Sequence, residues 1–435
     1  MWREDQGLAG HALDDDPTTT TLAGPPSPYR WVVLFGVWLI YATFGMTTVS
    51  LAPLVSVVTR DLGISHGSMG FIFGAWQLVF IVAAVPAGGL LDRIGVRHGL
   101  ALAAVLISIS GLLRSLAPDY VSLFLAVSVL GLGGPLVSTG APKMVQRWFR
   151  GQQRGFAMGV YITGPAVGSM AALSLTNSVL MPAFDDDWHA VLRVWSAVAL
   201  CAGIVWLVIA SRPAMRAVEA GSTTAKRQPQ REVVGQLLRL PAVQVLLVMS
   251  VGIFLFNHGL NNWLPELLRG KGMSAAAAGY WATIPTLVGL VGSLTIPRLA
   301  TRERRYGMLA GLFIVALIAS LMLRADYGPV LFLGLALQGI ARSSMMTVAM
   351  LTMVETPGIG ERHAATASGM FFSAAEVGGA SGPVIIGLIH DASGGFGASL
   401  WFLSTIAALL IVGAVKLRHV ARVDLEQRAA RSRSE

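Results

Sequence analysis

"GGLLDRIGVRHG", residues 88–99, sets an aspartate, two arginines and a histidine within twelve positions, between flanks that are almost free of charge. The chain as a whole is 54% hydrophobic and only 13% charged, against a charged share of about 25% in an ordinary soluble domain. On either side of the cluster lie apolar runs at 68–91 and 99–117. Each is close to the roughly 20 residues with which a helix crosses about 30 Å of hydrocarbon. A charged knot between two such runs marks a turn held outside the lipid.

Ten more runs of this kind occur outward from it, at 31–58, 120–146, 155–181, 190–211, 242–267, 275–297, 306–324, 328–354, 364–389 and 397–417. They are continuous rather than alternating, so helices and not barrel strands satisfy the backbone in lipid. The expected fold is an all-α integral membrane protein with 12 transmembrane helices, numbered here as spans one to twelve in chain order. The single cysteine, Cys201, falls inside the sixth span, excludes an intrachain disulfide and is expected to pack.

The net charge of +9 is distributed unevenly. With the spans alternating direction, 24 Lys and Arg fall on the side of the 88–99 turn and six (Arg60, Arg114, Arg193, Arg269, Lys271 and Arg324) on the other. The positive-inside rule then places the 88–99 side and both termini in the cytoplasm, of a plasma or inner membrane. Contact with anionic lipid headgroups accounts for the basic balance, so nucleic acid is not an expected partner.

The longest polar interruption, 212–240, divides the spans six and six. The expected organisation is a disordered cytoplasmic tail over 1–29, a six-helix bundle over 30–211, a linker over 212–240, a second bundle over 241–418 and a basic tail over 419–435. The halves echo each other. "GISHGSMG" at 63–70 returns as "GMSAAAAG" at 272–279, an offset of 209, and Gly159 and Gly168 return as Gly369 and Gly378, an offset of 210. Gly131 and Gly339 differ by 208, and Tyr120 and Tyr327 by 207. Six spans is an even number, so the repeats run parallel, the arrangement of a large class of transporters.

The opening stretch resembles the loop between the second and third helices of the major facilitator superfamily, Gly-x-x-x-Asp-Arg-x-Gly-x-Arg/Lys. Gly88, Asp92, Arg93, Gly95 and Arg97 fill every position. The resemblance implies a conformational latch, and Asp92 at a helix end could pair with an arginine or a facing helix N-terminus to hold the bundles in one state. The matching stretch of the second half, "PRLATRERRYG" at 297–307, has Thr301 in place of the aspartate. In the eleventh span, Gly369, Gly378, Gly382, Pro383 and Gly387 resemble a motif of antiporters in the same superfamily. The fifth span keeps Gly164, Pro165 and Gly168 of it. Small residues and proline at these points suit close packing and helix bending. "WFRGQQRGFAMG" at 148–159 resembles the junction before helix five in the branches that carry small anions such as monocarboxylate, oxalate, nitrate or cyanate. The mid-helix arginine typical of proton-driven drug exporters is missing from the fourth span.

Ionisable groups deep in a bilayer cost several kcal/mol and so invite a functional reading. Arg342 stands at the middle of the tenth span and Glu376 near the middle of the eleventh. One reading has Arg342 attract an anionic substrate while Glu376 takes the coupling proton; the other has the two form a structural ion pair. Asn257, His258 and Asn261, with Asn262, recur at helical spacing in the seventh span, and His258 could also carry protons. Tyr41, Thr47, Gln77, Tyr161 and Gln338 complete the expected cavity wall. Lys143, Glu266 and Glu355 lie near span ends and read as interfacial.

No GxxxxGK[ST] loop is present to serve an ATP-driven pump. Neither metal-ligand spacing nor a nucleophile motif suggests an enzyme, so no cofactor or metal is expected. The expected function is secondary active transport by alternating access, with proton-coupled movement of a small organic anion ahead of proton-antiport efflux of drug-like or metabolic compounds. A membrane sensor on the same fold is the reading from another class. The expected partners are a small-molecule substrate, H+ and the lipid bilayer, with the chain acting as a monomer.

Overall fold

A computed structural model describes residues 28–220, 230–301 and 304–434. The expected tail as far as residue 27 and the middle of the linker, 221–229, lie outside the described residues. Eleven apolar helical segments among the described residues are long enough to cross a membrane. One of them, His66–Arg114, has 49 residues, and at about 1.5 Å per residue it would be more than twice the thickness of the hydrocarbon. It is two spans in one. At Gly95 the backbone turns to φ 81° and ψ 158°, a left-handed conformation open to glycine and strained for other residues. The second and third spans meet there, inside the opening stretch, and the count becomes twelve.

The remaining spans are Tyr29–Asp61, Tyr120–Trp148, Gly151–Ala183, Trp188–Ala210, Pro241–Arg269, Ala275–Leu299, Arg305–Met322, Pro329–Val354, Gly360–Ser393 and Phe396–Ser434. Local sequence sets several ends. Asp119 and Ser122 close a capping box at the start of the fourth span, and Asp187 accepts from His189 N at the start of the sixth. Gly394, at φ 73°, ends the eleventh. The fifth span is interrupted at Thr163, one residue before Gly164 and Pro165, and passes through a π-helical turn at Thr176–Leu180. Its repeat mate, the eleventh, runs unbroken through Pro383.

The repeat seen in the sequence is also a repeat of contacts. A methyl group on Gly131 would collide with the carbonyl of Trp76, and one on Gly339 with that of Pro285. Gly168 lies against the carbonyl of Ala42 just as Gly378 lies against that of Val251. In each half the same two helix crossings bring backbones so close that only glycine fits.

The two bundles touch unevenly. The face that carries residues 88–99 and 212–220 is called the linker face here, and the opposite one the far face. Toward the far face the second span is buried against the eleventh, with Met69, Ile72, Phe73, Ala75, Trp76 and Gln77 all enclosed, and Gly70 and Gly74 rest on the backbone of Pro383 and Ala380. The fifth and eighth spans form a second seam, where Gly279 meets the carbonyl of Leu173. Toward the linker face these helices part. Val82 and Val85 are each 76% exposed, and Gly88, Gly89, Gly155, Gly159 and Gly369 have no atom within 4 Å of where a Cβ would stand. The cleft between the bundles is sealed at the far face and open at the linker face.

Candidate functional site

The deepest polar groups of the second bundle converge at the closed end of this cleft. Arg342 is half-buried in the tenth span. Its Nη1 donates to Asn261 Oδ1 of the seventh span, and its Nη2 lies 3.5 Å from the Thr286 hydroxyl of the eighth. Both partners are neutral. Glu376 is 6% exposed, and its Oε2 is buried with no hydrogen-bond partner among the described residues. Arg342 and Glu376 do not form an ion pair with each other, so the structural-pair reading has no support in this geometry.

The first bundle enters the site through Gln77, which is fully buried. Gln77 Nε2 donates to the Gly379 carbonyl at 3.3 Å and stands 3.3 Å from His258 Nδ1. Gly379 in turn lies beside Glu376, His258 and Gln77 together, so these three residues surround one small volume between the second, seventh and eleventh spans. The oxygens Gln77 Oε1, Asn257 Oδ1 and Gln338 Oε1 are also buried without a partner. A cationic fork on the tenth span and buried acceptors without partners on the second, seventh and tenth spans are together a donor and acceptor set suited to an anion that also carries donors.

Aromatic rings continue from this group into the first bundle. Tyr161 and Tyr41 stack at 5.7 Å between centroids. From there Tyr41–Phe44, Phe44–Trp76 and Trp76–His258 contacts of 5.8–6.2 Å carry the row across to the second bundle. Thr286, Phe44 and Trp76 were not singled out in the sequence. Thr286 is one of several hydroxyls in the eighth span, and the two aromatic residues read as ordinary core, so no local signal marked them.

Some expected residues stand elsewhere. Thr47 is buried, and its carbonyl accepts from Arg114 Nη1 at 2.6 Å. Arg114, counted above on the side opposite the 88–99 turn, is only 1% exposed and also donates to the Ser50 hydroxyl at 3.2 Å. Cys201, expected to pack, is exposed on the outer surface of the sixth span. In the opening stretch Asp92 Oδ1 lies 3.3 Å from Lys143 Nζ, a residue of its own bundle. Arg97 donates to the Ala210 carbonyl at 3.1 Å, while Arg93 is exposed. Asp92 and Arg97 thus brace the first bundle in this state. Gly164 and Gly168 pack on the first span, and Gly378 and Gly382 on the seventh. Pro383 offers its carbonyl to Trp263 Nε1 at 2.9 Å.

Residues 37–323 and 261–434 match the family model described as Major Facilitator Superfamily. Among curated proteins, the chain is 26% identical to an uncharacterized transporter, YycB, of Bacillus subtilis, over 86% of this chain and 90% of that one. It is 24% identical to a probable galactarate/D-glucarate transporter of the same organism, over 93% and 96%. Among solved structures, a bacterial homolog of the human lysosomal transporter Spinster, inward-facing and unoccupied, superposes with a TM-score of 0.66 at 17% identity, covering 91% of this chain and 96% of that one.

Proposed function

The chain belongs to the Major Facilitator Superfamily, and from that premise we propose that it is a proton-coupled secondary transporter of a small organic anion that also bears hydroxyl groups. The observation that carries this reading is Arg342, a cation deep in the membrane whose hydrogen bonds go to the neutral Asn261 and Thr286. An uncompensated guanidinium at this depth is costly. A carboxylate arriving by the open cleft relieves that cost through paired charge-assisted hydrogen bonds. The unfilled oxygens of Gln77, Asn257 and Gln338 then receive hydroxyl donors, a chemistry in keeping with the sugar diacids named for one relative.

Glu376 is the proposed proton carrier. It lies with Gln77 and His258 around Gly379 yet holds no ion pair that a proton would break, and His258 offers a second transfer point. Tyr41, Tyr161 and Gln338 shape the wall. Transport proceeds by alternating access: the bundles rock about the midplane site, closing the linker face as the far face opens. In that second state Gly88, Asp92 and Arg93 approach the other bundle and act as the latch. The charge bias of the turns makes the linker face cytoplasmic, in a plasma or inner membrane, with the chain working as a monomer.

Proteoliposome uptake under an imposed pH gradient tests the proposal. D-glucarate, galactarate and simple monocarboxylates are compared with neutral sugars. Accumulation of an acid, driven by the proton gradient and lost in Arg342→Ala, is the expected result. Transport of neutral solutes alone, unaffected by Arg342→Ala, would overturn it.

A further inference from the structure

The far-face seal contains a group of side chains that the transport cycle as described does not use. His66 begins the second span, in the first bundle, and His390 and Asp391 end the eleventh, in the second. Their rings and carboxylate are drawn together across the seam. The His66 and His390 ring centroids are 3.8 Å apart, and Asp391 Oδ1 lies 3.5 Å from His66 Nδ1 and 3.8 Å from His390 Nδ1. One ligand atom from each of the three residues falls within 4.8 Å of the other two. His390 Nδ1 is buried and has no hydrogen-bond partner among the described residues.

We propose that His66, His390 and Asp391 form a site for a borderline divalent transition metal of the zinc type, which staples the two bundles at the far face. Two imidazoles and a carboxylate, with one position left to water, are the donor set of open tetrahedral zinc sites, whereas calcium and magnesium favour oxygen ligands. Metal–ligand bonds of about 2.0–2.2 Å place donor atoms about 3.3–3.6 Å apart around a tetrahedron. The His66–Asp391 separation already matches that spacing, and small ring rotations bring in His390.

A supporting shell orients the carboxylate. Asp391 Oδ2 accepts from Gly67 N at 2.7 Å, and Oδ1 from His66 N at 3.1 Å. The residue therefore caps the N-terminus of the second span from the other bundle, where the helix dipole favours an anion. The ligands are 325 positions apart in the chain at their widest, which is why no metal-ligand spacing shows in the sequence.

Opening the far face must separate His66 from the other two ligands. The metal consequently binds only the far-face-closed state and shifts the population toward it. The binding half of this inference stands on geometry alone, while the stapling half rests on the alternating-access reading.

The full chain, purified in detergent, is titrated with Co2+ as a spectroscopic substitute for Zn2+. One equivalent with tetrahedral-type absorption is expected, and His66→Ala and His390→Ala should each weaken binding at least about tenfold. Equal Co2+ uptake by wild type and the His66→Ala/His390→Ala variant overturns the site. In a Cys201→Ser background, spin labels at Leu116→Cys and Asp326→Cys, on far-face turns of the two bundles, report the gap. Added Zn2+ should enrich the short distance, and His66→Ala should abolish the response. Metal that binds without changing this distance overturns the staple. Neither readout needs a transported substrate, so the result is separable from the anion assignment.

Discussion

Arg114 in the first bundle and Arg342 in the second both lie among membrane-spanning helices, and the two arginines do different things. In the first bundle Arg114 turns to its own neighbours, the Thr47 carbonyl and the Ser50 hydroxyl. In the second, Arg342 turns to Asn261 and Thr286 on two neighbouring spans. The two bundles keep the same glycine crossings, Gly131 with Gly339 and Gly168 with Gly378, yet the midspan charge of Arg342 has no counterpart in the first half, where the same offset falls on Gly134. Close helix packing is a property of backbone shape, and a duplicated fold retains it in both copies. A membrane-depth charge is retained only where something uses it. On the proposed reading, one half carries the ionic chemistry, and the other supplies aromatic rings and a single amide.

The loop-to-helix braces differ in the same way. In the first half the acid is on the turn and the base on the helix, Asp92 with Lys143. In the second the charges are reversed, Arg305 on the turn side meeting Glu355 at the end of the tenth span at 2.7 Å. Thr301, which stands where an aspartate was expected, thus does not leave the second half without a brace.

The most damaging change should be Arg342→Ala. Loss of charge-assisted hydrogen bonds worth about 1.5–3 kcal/mol each should lower the transport kcat/KM by about 100-fold or more, read from initial uptake rates. By contrast, Arg114→Ala should lower the thermal midpoint and leave substrate affinity in the surviving protein unchanged. A KM rise in Arg114→Ala would erase the contrast between the bundles. Glu376→Gln should abolish accumulation driven by a pH gradient while counterflow exchange persists. If gradient-driven accumulation survives, the proton must be carried elsewhere.

Stability sharpens the shared part of the comparison. Gly168→Val and Gly378→Val both press a side chain into a carbonyl of the neighbouring span, and each should cost about 1–3 kcal/mol. Gly159→Ala and Gly369→Ala open onto the cleft and should be tolerated, as melting curves of the four variants would show. The smallest effect belongs to the braces. Arg305 has a side chain only 5% exposed, so Arg305→Ala should destabilise more than Lys143→Ala, whose half-exposed pair contributes about 0–1 kcal/mol.

Several features needed only the order of residues. Twelve apolar runs, the break at 212–240, the charged turn at 88–99 and the offsets near 209 followed from hydropathy and spacing. Transfer from water to lipid is paid span by span, so it is written locally and legible locally. Arg342 and Glu376 stood out for the same reason, as charges in runs that otherwise exclude them. The partners of those charges depend instead on how twelve helices are placed side by side. Only the tertiary structure separated Arg342 from Glu376, buried Arg114, joined Gln77 to His258 across the bundles and brought His66 to Asp391. It also decided which face of the cleft is open. That choice arises from glycine-tight seams between two rigid bundles, and no periodicity within one helix records the position of another.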